Sequence, residues 1–270
     1  MSMIIPILKA IAVLGSMGII LGALLVIASR IFYVEKDPRI DEVKECLPGA
    51  NCGGCGLPGC DALAEAIVKG TAPVSACPVG GGECAKKIAA VMGMEVSETA
   101  KLVAHVACQG CKENSKDKFN YYGAKSCNEA MIAANGQKAC DYGCLGFGSC
   151  VAVCKFDAIA LNEKGIPVVD EDKCTSCSAC ITECPKNVIK LVPQKKHVRI
   201  VCNNHEKGKA VKQVCTSGCI ACGICVKKCP FEAITIPEGS NLPVIDYDKC
   251  RSCGICMEKC PQKAIISTYL

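Results

Sequence analysis

The sequence predicts an α+β protein carried behind a single N-terminal transmembrane helix. A small helical metal-binding domain follows the helix, and two tandem repeats of a two-site, βαβ-type unit follow that domain. Three observations predict this layout. Of 270 residues, 27 are cysteine, all between Cys46 and Cys260. Twelve of them fall in three C-x-x-C runs that recur along the second half of the chain. Near the N-terminus, Ile11 to Ser29 is a stretch of nineteen residues without a charge.

One cysteine in ten is more than an ordinary apolar core uses. A disulfide scaffold is opposed by the odd count, by a length far beyond a secreted mini-domain and by the C-x-x-C spacing. Such runs hold metal in a reducing compartment. Tryptophan is absent and aromatics are 4% of the chain, so metal centres must replace much of a core. The formal charge is +5. No module of interleaved basic and aromatic residues accompanies it, so nucleic acid is not an expected partner.

Residues 1–34 read as a membrane anchor. Lys9 and Arg30 bracket the uncharged stretch, which at ~1.5 Å per residue spans roughly 28 Å, close to the ~30 Å of a hydrocarbon core. A cleaved signal would have a shorter apolar core and would deliver the thiols to an oxidising compartment. Arg30, Lys36 and Arg39 outnumber Lys9 and the amino terminus, so a single pass in the cell membrane with a cytoplasmic body is expected. Gly18 and Gly22 form a small-xxx-small pair that lets another helix approach.

Residues 35–95 open with a charged linker containing Pro38 and then carry Cys52, Cys55 and Cys60, with Cys77-Pro78 further on. Three close thiols and one remote thiol suit a [4Fe-4S] cubane, which takes four cysteines. Zinc sites more often use two separated pairs. The interspersed glycines allow tight turns with N–H groups facing sulfur. Asp61 to Lys69 reads as a short helix stopped by Gly70 and Pro73, and Glu83 to about Ala104 as a longer one. Gly80-Gly81-Gly82 lacks the strand and the Gly-Lys-Ser/Thr ending of a phosphate loop and reads as a turn. Cys46 and Cys84 fit no motif and are expected to be buried thiols.

The run Cys174-x₂-Cys177-x₂-Cys180-x₃-Cys184-Pro185 is that of bacterial ferredoxins. It recurs at Cys219, Cys222, Cys225 and Cys229-Pro230 and at Cys250, Cys253, Cys256 and Cys260-Pro261. A stretched version stands at Cys140, Cys144, Cys150 and Cys154. Two dicluster ferredoxin-like units are therefore expected, at residues 140–192 and 216–270, joined to their neighbours by connectors at 96–139 and 193–215. In such units the fourth cysteine of a run serves the other cluster. The expected sets are Cys140, Cys144, Cys150 and Cys184; Cys154, Cys174, Cys177 and Cys180; Cys219, Cys222, Cys225 and Cys260; and Cys229, Cys250, Cys253 and Cys256. With the N-terminal set this makes five clusters. Five cysteines remain before and between the units. Folding back of the connector would let Cys108, Cys127, Cys202 and Cys215 hold a sixth, with Cys111 as substitute; the alternative is free thiols.

Cysteine-ligated cubanes carry single electrons. No G-x-G-x-x-G, triad or H-E-x-x-H accompanies them, so neither flavin nor nicotinamide is expected on this chain. His105, His197 and His205 are scattered and read as surface residues. Iron held in clusters is the only metal expected, and no catalytic residue is assigned.

The anchor, the C-x₂-C-x₄-C domain, Tyr142-Gly-Cys-Leu-Gly-Phe-Gly-Ser-Cys150 and the ferredoxin runs together resemble the iron–sulfur B subunits of Rnf complexes, over nearly the whole chain. The second dicluster unit matches only longer members. The resemblance implies a place in a membrane-bound, ion-translocating ferredoxin:NAD⁺ oxidoreductase. Soluble ferredoxin would be the electron donor, and other subunits would carry the flavins, the nicotinamide site and the ion path. Rival readings are a membrane-tethered polyferredoxin feeding a hydrogenase or another reductase, which needs no N-terminal cluster domain, and a zinc-rich adaptor. The best candidate docking site for ferredoxin is a basic patch of Lys195, Lys196, Arg199, Lys207, Lys209 and Lys212, with Lys227-Lys228 a weaker one; the alternative is a solvated connector that keeps the protein soluble.

Overall fold

The computed structural model describes residues 4–31, 37–95 and 100–268, with side chains from residue 14 onward. Helix α1 (Ile4–Ile31) is apolar, and from Leu14 to Ile31 none of it is buried in the rest of the chain. It is long and apolar enough to cross a membrane. Lys36 lies outside the described residues.

The N-terminal domain packs α2 (Arg39–Cys46), α3 (Cys60–Val68) and α4 (Gly81–Met92) around Val43, Leu63, Ala64, Ile67 and Ile88. Helix α3 starts at the third cysteine of the motif, where Asn51 Oδ1 accepts the Cys60 N–H at 2.8 Å. The longer helix expected to reach Ala104 ends at Met92. Gly93 closes it in the left-handed region (φ 65°), which glycine enters without a Cβ clash. Leu102–Val106 then forms strand β1, which pairs antiparallel with Ile189–Pro193 and buries Val103, Ala104 and Val106 on its two faces.

Strand β1 opens the first unit, which continues with α5 (Cys127–Ile132), α6 (Ser149–Ala152), β2 (Ile159–Leu161), β3 (Pro167–Val169), α7 (Ala179–Glu183) and β4 (Ile189–Pro193). Antiparallel pairs β1–β4 and β2–β3 enclose Val103, Ile159, Val188, Ile189 and Val192. The second unit repeats this plan. Its elements are β5 (Val198–Ile200), α8 (Gly208–Val214), α9 (Ile224–Lys227), β6 (Ile234–Thr235), β7 (Val244–Ile245), α10 (Ile255–Glu258) and β8 (Ile265–Ser267), with β5 paired to β8 and β6 to β7. Each unit therefore begins with the strand that closes its sheet, well before its first motif. Strands β1 and β5, which lie in stretches expected as connectors, pair within the units.

The short helices inside the motifs start from one backbone device. Gly223 (φ 71°) and Gly254 (φ 78°) stand in the left-handed region immediately before α9 and α10, and Ser178 (φ 62°) does the same before α7. The turn lets the next cysteine face the side of the cavity that its predecessors face.

The units are riveted together by polar groups. Arg199 on β5 is fully buried and its Nη2 donates to Glu171 Oε1 at 2.9 Å. Burial lowers its pKa, and the Glu171 carboxylate partly restores it. Arg199 therefore is not part of an exposed basic patch. Lys196 Nζ donates to the Cys250 carbonyl, which leaves Lys195, Lys207, Lys209 and Lys212 as the exposed cations of that stretch.

Candidate metal centres

Three cavities are each lined by four thiols drawn from different parts of the chain. In the second unit one cavity is lined by Cys219, Cys222, Cys225 and Cys260, and another by Cys229, Cys250, Cys253 and Cys256. These are the crossed sets that the motif predicts. In the first unit Cys180 lies within electrostatic reach of Cys174, Cys177, Cys150 and Cys154, and its thiol is pushed up to about 12 by burial first and by those neighbours second. In the N-terminal domain burial raises the Cys77 thiol, with Cys60 and Cys52 adding to the effect. Gly54 N–H faces Cys52 Sγ and Gly80 N–H faces Cys77 Sγ.

The remaining groups correct the expected pairing. A third cavity, between the two units, is lined by Cys108, Cys140, Cys202 and Cys215. Cys140 is thus beside the connector thiols and not with Cys144, Cys150 and Cys184. Its thiol is pushed up to about 11 by burial, and Cys108, Cys202 and Cys215 are the thiols that raise it further. Cys127, expected in the extra set, sits instead beside Cys144 and Cys150. Cys127 N–H donates to Ser149 Oγ at 2.9 Å, which plants the start of α5 next to Cys150. Cys184 completes this group through its interaction with Cys150. The x₃ and x₅ gaps of the stretched run depart from the ferredoxin spacing, but they do not say which cysteine leaves the loop; the fold decides that.

Three cysteines stay outside these groups. Cys84 Sγ donates to the Cys46 carbonyl at 3.1 Å, and burial pushes its thiol up to about 11. Cys111, the expected substitute, is buried away from the central cavity, in the wall of a cleft that also contains Cys144. His105 is not a surface residue. It is half-buried, donates Nε2–H to the Ile200 carbonyl at 3.0 Å, and burial pulls its pKa down to about 4.

The donor chemistry fits cubane clusters. No carboxylate or imidazole lines the three cavities, and Arg251 is their only charged lining residue. Among the described residues no three Cys, His, Asp or Glu side chains converge on one point as a single zinc ion requires. The thiols ring a space instead. Backbone amides face the sulfurs throughout: Ala104 N–H to Cys174, Ala158 N–H to Cys154, Ala233 N–H to Cys229 and Ala264 N–H to Cys260. Burial first, and neighbouring thiols after it, raise the pKa of Cys140, Cys180 and Cys256.

The groups are contiguous. Cys219 N–H donates to Cys202 Sγ at 3.2 Å, joining the second unit to the central cavity, and Cys144 N–H donates to Cys108 Sγ at 3.3 Å, joining that cavity to the first unit. At the far end a side chain on Gly54 would start 2.8 Å from the Cys177 carbonyl oxygen, so the N-terminal ligand loop rests directly on a ligand loop of the first unit.

An apolar helix joined to all-sulfur, amide-lined cavities defines a membrane-associated multicluster iron–sulfur protein. Family models agree: an Fe-S cluster model matches residues 47–79, and 4Fe-4S dicluster models match 139–188 and 218–265. The B subunit of the Na(+)-translocating ferredoxin:NAD(+) oxidoreductase complex of Acetobacterium woodii is 53% identical over 92% of this chain and 74% of its own. The B subunit of the ion-translocating oxidoreductase complex of Methanosarcina acetivorans is 47% identical over 78% and 80%. The B subunit of the proton-translocating ferredoxin:NAD(+) oxidoreductase complex of Clostridium ljungdahlii is 39% identical over 89% and 84%. The chain belongs to the family of B subunits of these ion-translocating (Rnf) oxidoreductase complexes.

Proposed function

We propose that the chain is the electron-relay subunit of an ion-translocating ferredoxin:NAD⁺ oxidoreductase and that it holds six [4Fe-4S] clusters. Each cluster, when bound, takes up and gives up one electron. The observation that carries the reading is the central cavity, built by Cys108 and Cys140 from one unit and by Cys202 and Cys215 from the other. Without it the two dicluster units would be separate carriers; with it the ligand loops form one unbroken series. The remaining sets are Cys52, Cys55, Cys60 and Cys77; Cys127, Cys144, Cys150 and Cys184; Cys154, Cys174, Cys177 and Cys180; and the two of the second unit.

Electrons enter from reduced ferredoxin at the second unit, where Cys222 and Cys253 are exposed. Lys207, Lys209 and Lys212 stand close by: Gly208 N–H, at the start of α8, donates to the Ile220 carbonyl inside the Cys219 loop. They leave through the N-terminal domain, which a short linker connects to α1, towards partner subunits. α1 anchors the chain, and the cationic residues after it favour a cytoplasmic body.

Iron and acid-labile sulfide analysis of anaerobically reconstituted protein tests the reading. Six sets require about twenty-four irons per chain, and Cys202→Ala should remove about four. An unchanged load in that variant, or stoichiometric zinc with little sulfide, refutes it.

A further inference from the structure

Asn204 lies in none of the cysteine motifs, yet it is 3% exposed and lines the central cavity. Its side-chain Nδ2 donates to Cys140 Sγ at 3.4 Å and its backbone N–H faces Cys202 Sγ at 3.5 Å. The orientation of the amide is fixed, because Oδ1 accepts the Glu206 N–H at 2.8 Å and turns the NH₂ towards sulfur. Among the described residues this is the only side-chain amide bonded to a cysteine sulfur. Gly110 and Cys144 N–H groups face Cys108, and Cys219 N–H faces Cys202, so five N–H groups in all converge on this set. Lys138, 6% exposed, adds a fixed cation nearby, its Nζ held by the Gly110 carbonyl at 2.8 Å.

These donors oppose a specific difficulty. The central cavity is enclosed by both units, whereas the second unit shows Cys222 and Cys253 to solvent. Adding an electron raises the negative charge of a cluster, and burial away from water disfavours that form. Left uncompensated, the central set would be the hardest to reduce, at the one junction between the units. N–H groups directed at sulfur stabilise the more negative state and raise the potential.

We infer that Asn204 is a positioning residue that raises the reduction potential of the central set, offsetting the burial that the junction imposes. Uptake there is one electron from a reduced neighbour, which is oxidised by one; no bond of Asn204 breaks, and its N–H···S hydrogen bond strengthens as the charge grows. The inference rests on the six-cluster reading above.

The test is an EPR-monitored redox titration of the full-length protein in detergent, with iron counted first. The central signal is the one lost in Cys202→Ala. If no signal is lost there, the six-cluster reading fails; the present inference fails only if a signal exists and Asn204 does not move it. Asn204→Leu removes the donor, and Asn204→Asp keeps the shape and the Glu206 contact while replacing NH₂ by oxygen. Both should lower that one midpoint. At the wild-type midpoint the ratio of reduced to oxidised centre should fall severalfold, towards the tenfold that corresponds to 59 mV for one electron, with the other signals unmoved. An unmoved midpoint with full iron overturns the inference, as does an equal shift of every signal. Should both variants lose the centre, Asn203→Leu protein labelled with asparagine carrying ¹⁵N only at the side-chain amide decides, because Asn204 is then the only asparagine lining the cavity. Hyperfine coupling of that nitrogen to the central signal supports the inference, and its absence overturns it.

Discussion

Replacing Glu171 by Gln should loosen the two dicluster units from each other. Arg199 has no exposed side-chain surface, Glu171 keeps 27%, and the two meet at 2.9 Å. Arg199 Nε and Nη1 have no hydrogen-bond partner, and only Nη2 meets Glu171, so that carboxylate is the main compensation for a buried charge. At an effective dielectric of ~20, opposite charges at this separation attract by about 6 kcal/mol. Desolvation and the partial exposure of Glu171 take back part of that. Removing one partner of a buried pair costs about 3–5 kcal/mol, and the exposed carboxylate places this pair near about 3. That is roughly a hundredfold in an equilibrium constant. Anaerobic urea denaturation, followed as the rate of loss of visible absorbance, should be faster by up to this factor in Glu171→Gln. Iron of the central set should leave first, because its four thiols come from both units. The double variant Arg199→Met with Glu171→Gln removes the stranded charge and should return most of the stability. Wild-type behaviour of Glu171→Gln, or a double variant as fragile as the single, would refute the reasoning.

Other outcomes follow from the same geometry. An oxidised cubane with four thiolates carries a net charge of about −2, so six sets turn the formal +5 into roughly −7; isoelectric focusing in neutral detergent under argon should place the holoprotein well below pH 7, and a basic holoprotein would contradict the cluster count. Changing Lys207, Lys209 and Lys212 to Glu should slow reduction by ferredoxin at low salt and flatten its salt dependence, while a small artificial reductant fills the clusters at the normal rate. Equal slowing with both donors would assign the patch to folding or to a partner protein of the complex. His105 is held neutral in the fold, with its pKa near 4 against 6.5 when unfolded, and with Arg199 and Lys190 as further opponents of its charge. The unfolded chain therefore binds the extra proton between those values, so stability is full above about pH 6.5 and falls by up to about 3 kcal/mol as pH drops through 4. His105→Gln should reduce the difference in bleaching rate between pH 5 and pH 7; an identical pH dependence in the variant would remove His105 from the acid response.

Local spacing made the apolar helix, the C-x-x-C loops and the crossed thiol groups that line the cavities of the second unit legible in the sequence. Each depends on residues within a few turns of one another: a cysteine two or three positions from the next, with a residue such as Gly223 or Gly254 in the left-handed region between them, can face only one side of its loop. The helix α3 and its stop at Gly70 were legible for the same reason. Only the tertiary structure decided what meets across long separations. The exchange of Cys140 for Cys127 depends on α5 docking at Ser149 and on the Cys202 and Cys215 segments folding against the first unit. Strand β1 looked like the end of a helix until β4, some ninety residues later in the chain, supplied its partner. Arg199 looked like part of a basic surface because charge alone does not reveal burial, and Glu171, its counter-ion, lies in the other unit. Asn204 carried no motif at all. Spacing fixes which way a loop faces; the packing of one loop against another fixes which four thiols share a cavity, and which side chains reach their sulfurs.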